Sequence, residues 1–387
     1  MLAIDFRLDG SGEREYLDQV LNCISEKERI ESDRKLRAFV DFLNPFVNLK
    51  KRLGNKAEVF EKNAKYKEFG YLCMWLVMPY EDMNAIREII FHKVKSEIKL
   101  ITQAAETLSP PIMLAQSQFY RTLKNQMIKK LTEKQIDYIF NNGSLWLKKY
   151  DEFYTYFALF KEVYEKKFTE KKINVWIVKK TGLRVCPYCN ILYTYNREDK
   201  ATAQMDHFFP KTEYPIFSLS FYNLVPSCPV CNHIKHDKEE FVSPYKKGAF
   251  NTLHIGWTLS GSGKEKLEDM IRLEINTDVP EEKKNIEKLK LMEAYNHHRD
   301  YAAEIIRKAE IYTNEYTRKM IRAIFIIEEE KEEKYVEGDG ADADPSASSW
   351  ITEEEIDRFY FGNYLEERDY SKRSLAKMTG DIVKEYM

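Results

Sequence analysis

A mainly α-helical protein with a small zinc-stapled module near its middle is the fold class predicted by this chain of 387 residues. Three observations carry that prediction. Apolar residues recur at helical spacing on both sides of the centre. Only 14 glycines and 12 prolines interrupt the whole sequence, too few for a linker-dominated or collagen-like chain. Four of the six cysteines form two Cys-x-x-Cys pairs, Cys186 with Cys189 and Cys228 with Cys231, where the helical pattern gives way.

Composition bounds the answer further. A hydrophobic share of 43% with 13% aromatic residues excludes a wholly disordered chain. No run of about 18 uncharged apolar residues occurs, so no membrane span is expected. The opening MLAIDFRLDG carries Asp5 and Asp9 and no basic leader, so no export signal is expected and the chain reads as soluble and cytoplasmic. Lys and Arg number 61 against 63 Asp and Glu, and the net charge of -2 does not by itself single out nucleic acid. The balance is uneven, however. Residues 51–200 hold 27 basic against 17 acidic residues, and residues 301–387 hold 13 against 21. A basic surplus suits a phosphate-facing surface, and an acidic stretch is most simply a solvated face.

Taken in order, residues 1–180 are expected to form a helical N-terminal region. Leu17, Val20, Leu21, Ile24 and Ile30 predict a helix over 13–40, ended by Asn44-Pro45. Ile86, Ile89, Ile90, Val94 and Ile98 predict another over 81–100, and Ser109-Pro110-Pro111 closes the next stretch. Helices are expected over 115–140 and 150–167, with Asn141-Asn142-Gly143 as a turn between them and their many aromatic residues as core. Residues 181–250 are the stapled module, in which Ile191–Tyr195 reads as a short strand. Residues 251–335 are expected to be helical, with a start at Pro280-Glu281-Glu282 and a break near Asn296-His297-His298. Residues 336–350, rich in Gly, Asp, Ala and Ser, read as a flexible linker. Residues 351–387 read as a helical appendage opened by a capping box at Thr352–Glu355.

Each Cys pair lets the chain turn back on one ion, and four thiolates suit tetrahedral Zn²⁺. With 38 residues between the pairs, the ion would staple a segment too short for a core of its own. A second set lies inside the staple. Asp206 and His207 are adjacent, so on a strand their side chains face opposite ways. Asn232 and His236 are four apart, so on a helix they share a face. Asp206, Asn232 and His236 could together offer an oxygen- and nitrogen-rich site for Mg²⁺ or Mn²⁺.

The wording DHFFPK…NLVPSCPVCNHIKHDK, framed by both Cys pairs, resembles the HNH or ββα-metal endonuclease module, and most closely the HNH nucleases of Septu and retron-associated anti-phage systems. The resemblance covers about 55–65 residues of the chain. It implies a strand–strand–helix fold and metal-dependent hydrolysis of nucleic-acid phosphodiesters, with DNA the expected substrate. His207 would be the general base, Asp206 a ligand of the catalytic ion, Asn223 the residue that orients His207, and Asn232 a further ligand. His236 would be an additional ligand, and Lys211, Lys235 and Lys238 would contact phosphate. The resemblance also implies an ABC- or SMC-like ATPase partner. This chain has no GxxxxGK[ST] motif: Leu259–Lys264 lacks the first Gly and is followed by Glu265. Two other readings fit part of the sequence. A noncatalytic zinc-stapled nucleic-acid-binding module accounts for the cysteines, and a helical interaction scaffold, including a homo-oligomer, accounts for the flanks.

Overall fold

The computed structural model describes residues 1–4, 6–44, 50–87, 133–238, 241–261, 265–321 and 352–386, together with residues 99, 102 and 323. The sequence expectations for 88–98, 109–111 and 115–132, the acidic run 328–333 and the linker 336–350 lie outside them. The protein is mainly helical and divides into two compact units.

One unit comprises Arg7–Asn174 and His207–Val225. It is built from α1 (Gly10–Leu21), α2 (Glu26–Leu43), α3 (Lys50–Glu61), α4 (Gly70–Leu76), α5 (Tyr80–Ile86) and α6 (Glu133–Lys167). The single helix expected over 13–40 is two. Ser25 and Glu28 form a reciprocal capping box that starts α2 anew, satisfying backbone N–H groups no helical carbonyl can reach. Conversely, α6 runs through Asn141-Asn142-Gly143, where a turn was expected. Asn142 donates its amide to the Tyr138 carbonyl at 2.9 Å, and the stripe Trp146, Tyr150, Phe157 is buried. A helical glycine costs only about 1 kcal/mol, less than one buried aromatic side chain contributes. The expected aromatic core is present: Phe39 packs against Trp75 at 6.0 Å and Phe153 at 5.1 Å between ring centroids. The helices also grip the loop 208–223. The indole of Trp75 donates to the Ile216 carbonyl at 3.0 Å, the Ser220 hydroxyl donates to the Trp75 carbonyl at 3.0 Å, and Tyr16 donates to the Leu219 carbonyl at 2.7 Å.

The other unit comprises Met1–Phe6, Val175–Asp206 and Pro226–Met387. The helix α7 (Ile173–Thr181) leads into the first Cys pair. The strands β1 (Gln204–His207) and β2 (Leu224–Ser227) pair in a two-stranded sheet, and α8 (Pro229–Lys235) follows. Beyond them lies a hairpin that the helical reading of 251–335 missed. In it β3 (His254–Leu259) runs antiparallel to β4 (Ile271–Asn276), in register from His254 opposite Asn276 to Leu259 opposite Ile271. Its signal was present: Ile271, Leu273 and Ile275 alternate with polar residues and are buried. The one-turn helix α9 (Leu267–Met270) lies between the strands. Then come α10 (Pro280–Lys288), α11 (Leu291–Asn296) and α12 (Arg299–Tyr312). The break expected near Asn296-His297-His298 is there, and a second falls at Lys290, whose φ is 54°.

The C-terminal segment is not an appendage. Its α13 (Glu353–Phe361) begins with the expected capping box, and α14 (Ala376–Lys384) enters the core of this unit. Leu2, Val185, Tyr370 and Ala376 form one buried apolar cluster. Asn190, at φ 55°, ties the cysteine loop to the same segment. Its amide donates to the Tyr370 carbonyl at 2.8 Å, its side-chain oxygen accepts from Lys377 N–H at 3.0 Å, and its carbonyl accepts from Leu375 N–H at 2.7 Å. The division falls at 6/7, 174/175, 206/207 and 225/226, whereas the expected boundaries were 180/181 and 250/251.

This packing is tight at Gly380, where an added Cβ would lie 2.7 Å from Cε1 of the buried Tyr370 ring. Gly380→Ala is expected to destabilise the protein by about 1–3 kcal/mol, read as a lowered urea midpoint. An unchanged midpoint would mean that α14 is not packed against Tyr370.

Candidate metal centre and strand–strand–helix site

The four paired cysteines converge. Cys186, Cys189, Cys228 and Cys231 are all buried, and their sulfur atoms lie within 4.8 Å of one another. Local backbone geometry makes this possible. Cys186 N–H donates to the Leu192 carbonyl at 2.8 Å and Asn190 N–H to the Cys186 carbonyl at 2.8 Å, curling the first pair into a knuckle. The expected strand at 191–195 is reduced to a single bridge between Val185 and Tyr193. In the second pair Cys228 is the N-cap of α8, and its sulfur accepts Cys231 N–H at 3.4 Å. Ile191 N–H reaches the Cys189 sulfur at the same distance. Burial pushes the Cys186 thiol up, while its contact with Cys189 holds that neighbour's thiol down. Four buried sulfurs this close cannot all carry charge without a cation, and a closed four-sulfur donor set is the one that structural Zn²⁺ takes. The cluster can therefore hold a metal ion such as zinc.

The second expected ion site is not assembled. Asp206 is buried, and both its oxygens are engaged: Oδ1 by Lys235 Nζ at 3.0 Å and Oδ2 by the Tyr188 hydroxyl at 2.5 Å. Burial, and then the Asp206 charge, push the Tyr188 phenol well above its ordinary value, so it stays protonated and donates. Asn232 spends its amide on Gln204 Oε1 at 2.7 Å. His236 ends α8 at φ 44°, 72% exposed, with Nδ1 at 3.6 Å from Asp237 rather than beside Asp206. An ammonium already supplies the positive charge that this carboxylate requires. The donor set therefore does not fit a catalytic Mg²⁺ or Mn²⁺.

Lys235 is likewise not a phosphate contact. It is fully buried, paired with Asp206 and placed 5.9 Å from the Phe241 ring centroid. The helical period explains why: Lys235 is four residues after Cys231, so the face that brings a sulfur to the cluster also carries Lys235 inward. Lys238 is exposed, donating to the Ile234 carbonyl at 3.0 Å.

In the other unit, His207 is buried at the end of β1, with Nε2 at 3.1 Å from the Ser218 carbonyl. The Tyr164 ring meets the imidazole edge-to-face at 4.3 Å. A ring whose Nε2–H faces a carbonyl carries its lone pair on Nδ1 when neutral. The tautomer-fixing group is thus Ser218, not the Asn223 side chain. Asn223 instead closes the loop. Its oxygen accepts Phe209 N–H at 2.8 Å, and its amide donates to the carbonyls of Phe209 and Phe217, each at 3.1 Å. By holding Phe217 it positions the next carbonyl, that of Ser218, beside Nε2 of His207. Lys211 pairs with Glu165 at 2.9 Å and lies 5.1 Å from the Tyr164 ring centroid, on the element that contacts His207.

No protein-family model matches this chain, and neither a curated protein nor a solved structure matches it. No helix among the described residues is long and apolar enough to cross a membrane.

Lys235→Met leaves the Asp206 carboxylate buried and short of a cation. It is expected to lower unfolding free energy by about 3–5 kcal/mol. Adding Asp206→Asn should recover part of that loss, a coupling read from a double-mutant cycle in urea. A loss below about 1 kcal/mol for Lys235→Met would contradict the buried pair.

Proposed function

We propose that this chain is a nucleic-acid phosphodiesterase of the HNH type, with the cysteine cluster occupied by structural zinc and His207 as general base. The observation that carries the reading is the imidazole held through Nε2 on the Ser218 carbonyl, in a loop closed by three Asn223 hydrogen bonds and followed by the cysteine-capped α8. That hydrogen bond makes Nδ1 the basic nitrogen of the neutral ring, the atom that would take a proton from water. The water oxygen then bonds to phosphorus as the bond to the 3′ oxygen breaks; the leaving oxygen takes a proton from solvent water, and the imidazolium returns its proton to solvent. The products implied by the resemblance are a 5′-phosphate and a 3′-hydroxyl. The same resemblance proposes DNA as substrate, anti-phage defence as context and an ABC- or SMC-like ATPase as the partner that licenses cutting.

A second reading is favoured by one specific observation. The Lys235–Asp206–Tyr188 arrangement occupies the carboxylate that the family pattern gives to a catalytic ion. A noncatalytic zinc-stapled module that binds nucleic acid needs no such ion.

Cleavage separates the two readings. Plasmid and oligonucleotide substrates are incubated with the protein in Mg²⁺, Mn²⁺ or EDTA, with and without the partner ATPase. His207→Ala should lower the cleavage rate at least about 100-fold, with zinc content and nucleic-acid binding unchanged. Equal cutting by that variant would remove His207 as base. Binding without cutting under every condition would favour the noncatalytic module.

A further inference from the structure

The cysteine knuckle also presents a face that hydrolysis at His207 does not use. After Cys189 the chain continues through Tyr193, Thr194 and Tyr195. Thr194 is buried, while Tyr193 is 47% and Tyr195 43% exposed, with ring centroids 5.5 Å apart. The segment is held rather than loose. Tyr193 bridges Val185, the Thr202 hydroxyl donates to the Tyr195 carbonyl, and Asn196 donates its amide to the Val175 carbonyl at 2.7 Å. That last bond fastens the knuckle to α7, where the half-buried Trp176 and Lys180 lie one turn apart, with the ammonium 5.8 Å from the indole centroid. Arg184 and Arg197 are exposed on the knuckle itself.

Charge indicates what such a face would meet. Residues 175–200 carry five Lys or Arg against two Asp or Glu, in a chain whose net charge is -2. Exposed rings interleaved with cations complement a strand of unpaired bases and phosphates, because bases stack on the rings while phosphates meet the cations. A duplex hides its base faces and offers those rings little.

We propose that Tyr193 and Tyr195, flanked by Arg184, Arg197, Trp176 and Lys180, form a stacking surface for single-stranded nucleic acid. The proposal rests on the hydrolase reading only in naming the form of the substrate; the binding itself does not involve His207.

The test is fluorescence anisotropy with a labelled oligothymidylate of about 20 nucleotides and a duplex of equal length, over a range of salt. Replacing Tyr193 and Tyr195 with Ser should weaken oligothymidylate binding about tenfold per ring. Phe at both positions should retain it, and metal content in each variant reports an intact knuckle. Replacing Arg184 and Arg197 with Gln should flatten the slope of log affinity against log salt by about 1.4. The duplex should bind more weakly than the single strand.

Unchanged affinity in the double Ser variant, or a duplex bound as tightly as the single strand, overturns the proposal. So does unchanged affinity combined with lost association with the ATPase, which would assign the face to a protein partner. His207→Ala keeps the two proposals apart. Cutting lost in that variant, with the tyrosine variants binding normally, would sink the stacking surface alone. Tyrosine-dependent binding with no cutting by the unaltered protein would sink the hydrolase alone.

Discussion

Four sulfur atoms within 4.8 Å of one another, all buried, impose the main constraint on this protein. Thiolates at that spacing repel, and burial removes the water that would screen them. Their convergence becomes favourable when a cation binds them, and the ion then joins two stretches of chain separated by 38 residues. Much of the surrounding architecture serves that junction. Cys228 caps α8, Tyr295 donates to the Cys189 carbonyl at 2.7 Å, and Asn190 fastens the knuckle to the C-terminal segment.

From the junction, α8 carries its consequences outward. Its period sends Lys235 inward from Cys231, and Lys235 meets Asp206 on β1. The next residue on that strand, His207, belongs to the other unit and takes its orientation from Ser218 there. Cysteine cluster and imidazole are thus held by separate networks. Loss of one network need not erase the local order of the other, so folding and chemistry can be examined with different substitutions.

Much of this was legible in the sequence because it depends on short-range pattern. Two Cys-x-x-Cys pairs mark a candidate metal knuckle, Thr352 with Glu355 marks a helix start, and Trp146, Tyr150 and Phe157 mark a buried stripe. What was missed depends on partners distant in sequence. Nothing near Asp206 announces that Lys235 and Tyr188 will claim its oxygens. The Ser218 carbonyl is a backbone group, and residue identity alone does not reveal it as the histidine's acceptor. The β3–β4 hairpin was masked by its helical surroundings, although Ile271, Leu273 and Ile275 alternate cleanly. The C-terminal segment looked detachable because a polar stretch precedes it, whereas its bonds to Asn190 make it part of the core around the cysteines.

The buried cysteine cluster has the donor set of a closed metal site. X-ray absorption at the zinc edge of the purified protein tests this most directly. A first shell of four sulfurs at about 2.3 Å with no oxygen or nitrogen neighbour is the expected spectrum. A protein that is folded and metal-free, or a zinc shell dominated by oxygen and nitrogen, would contradict it.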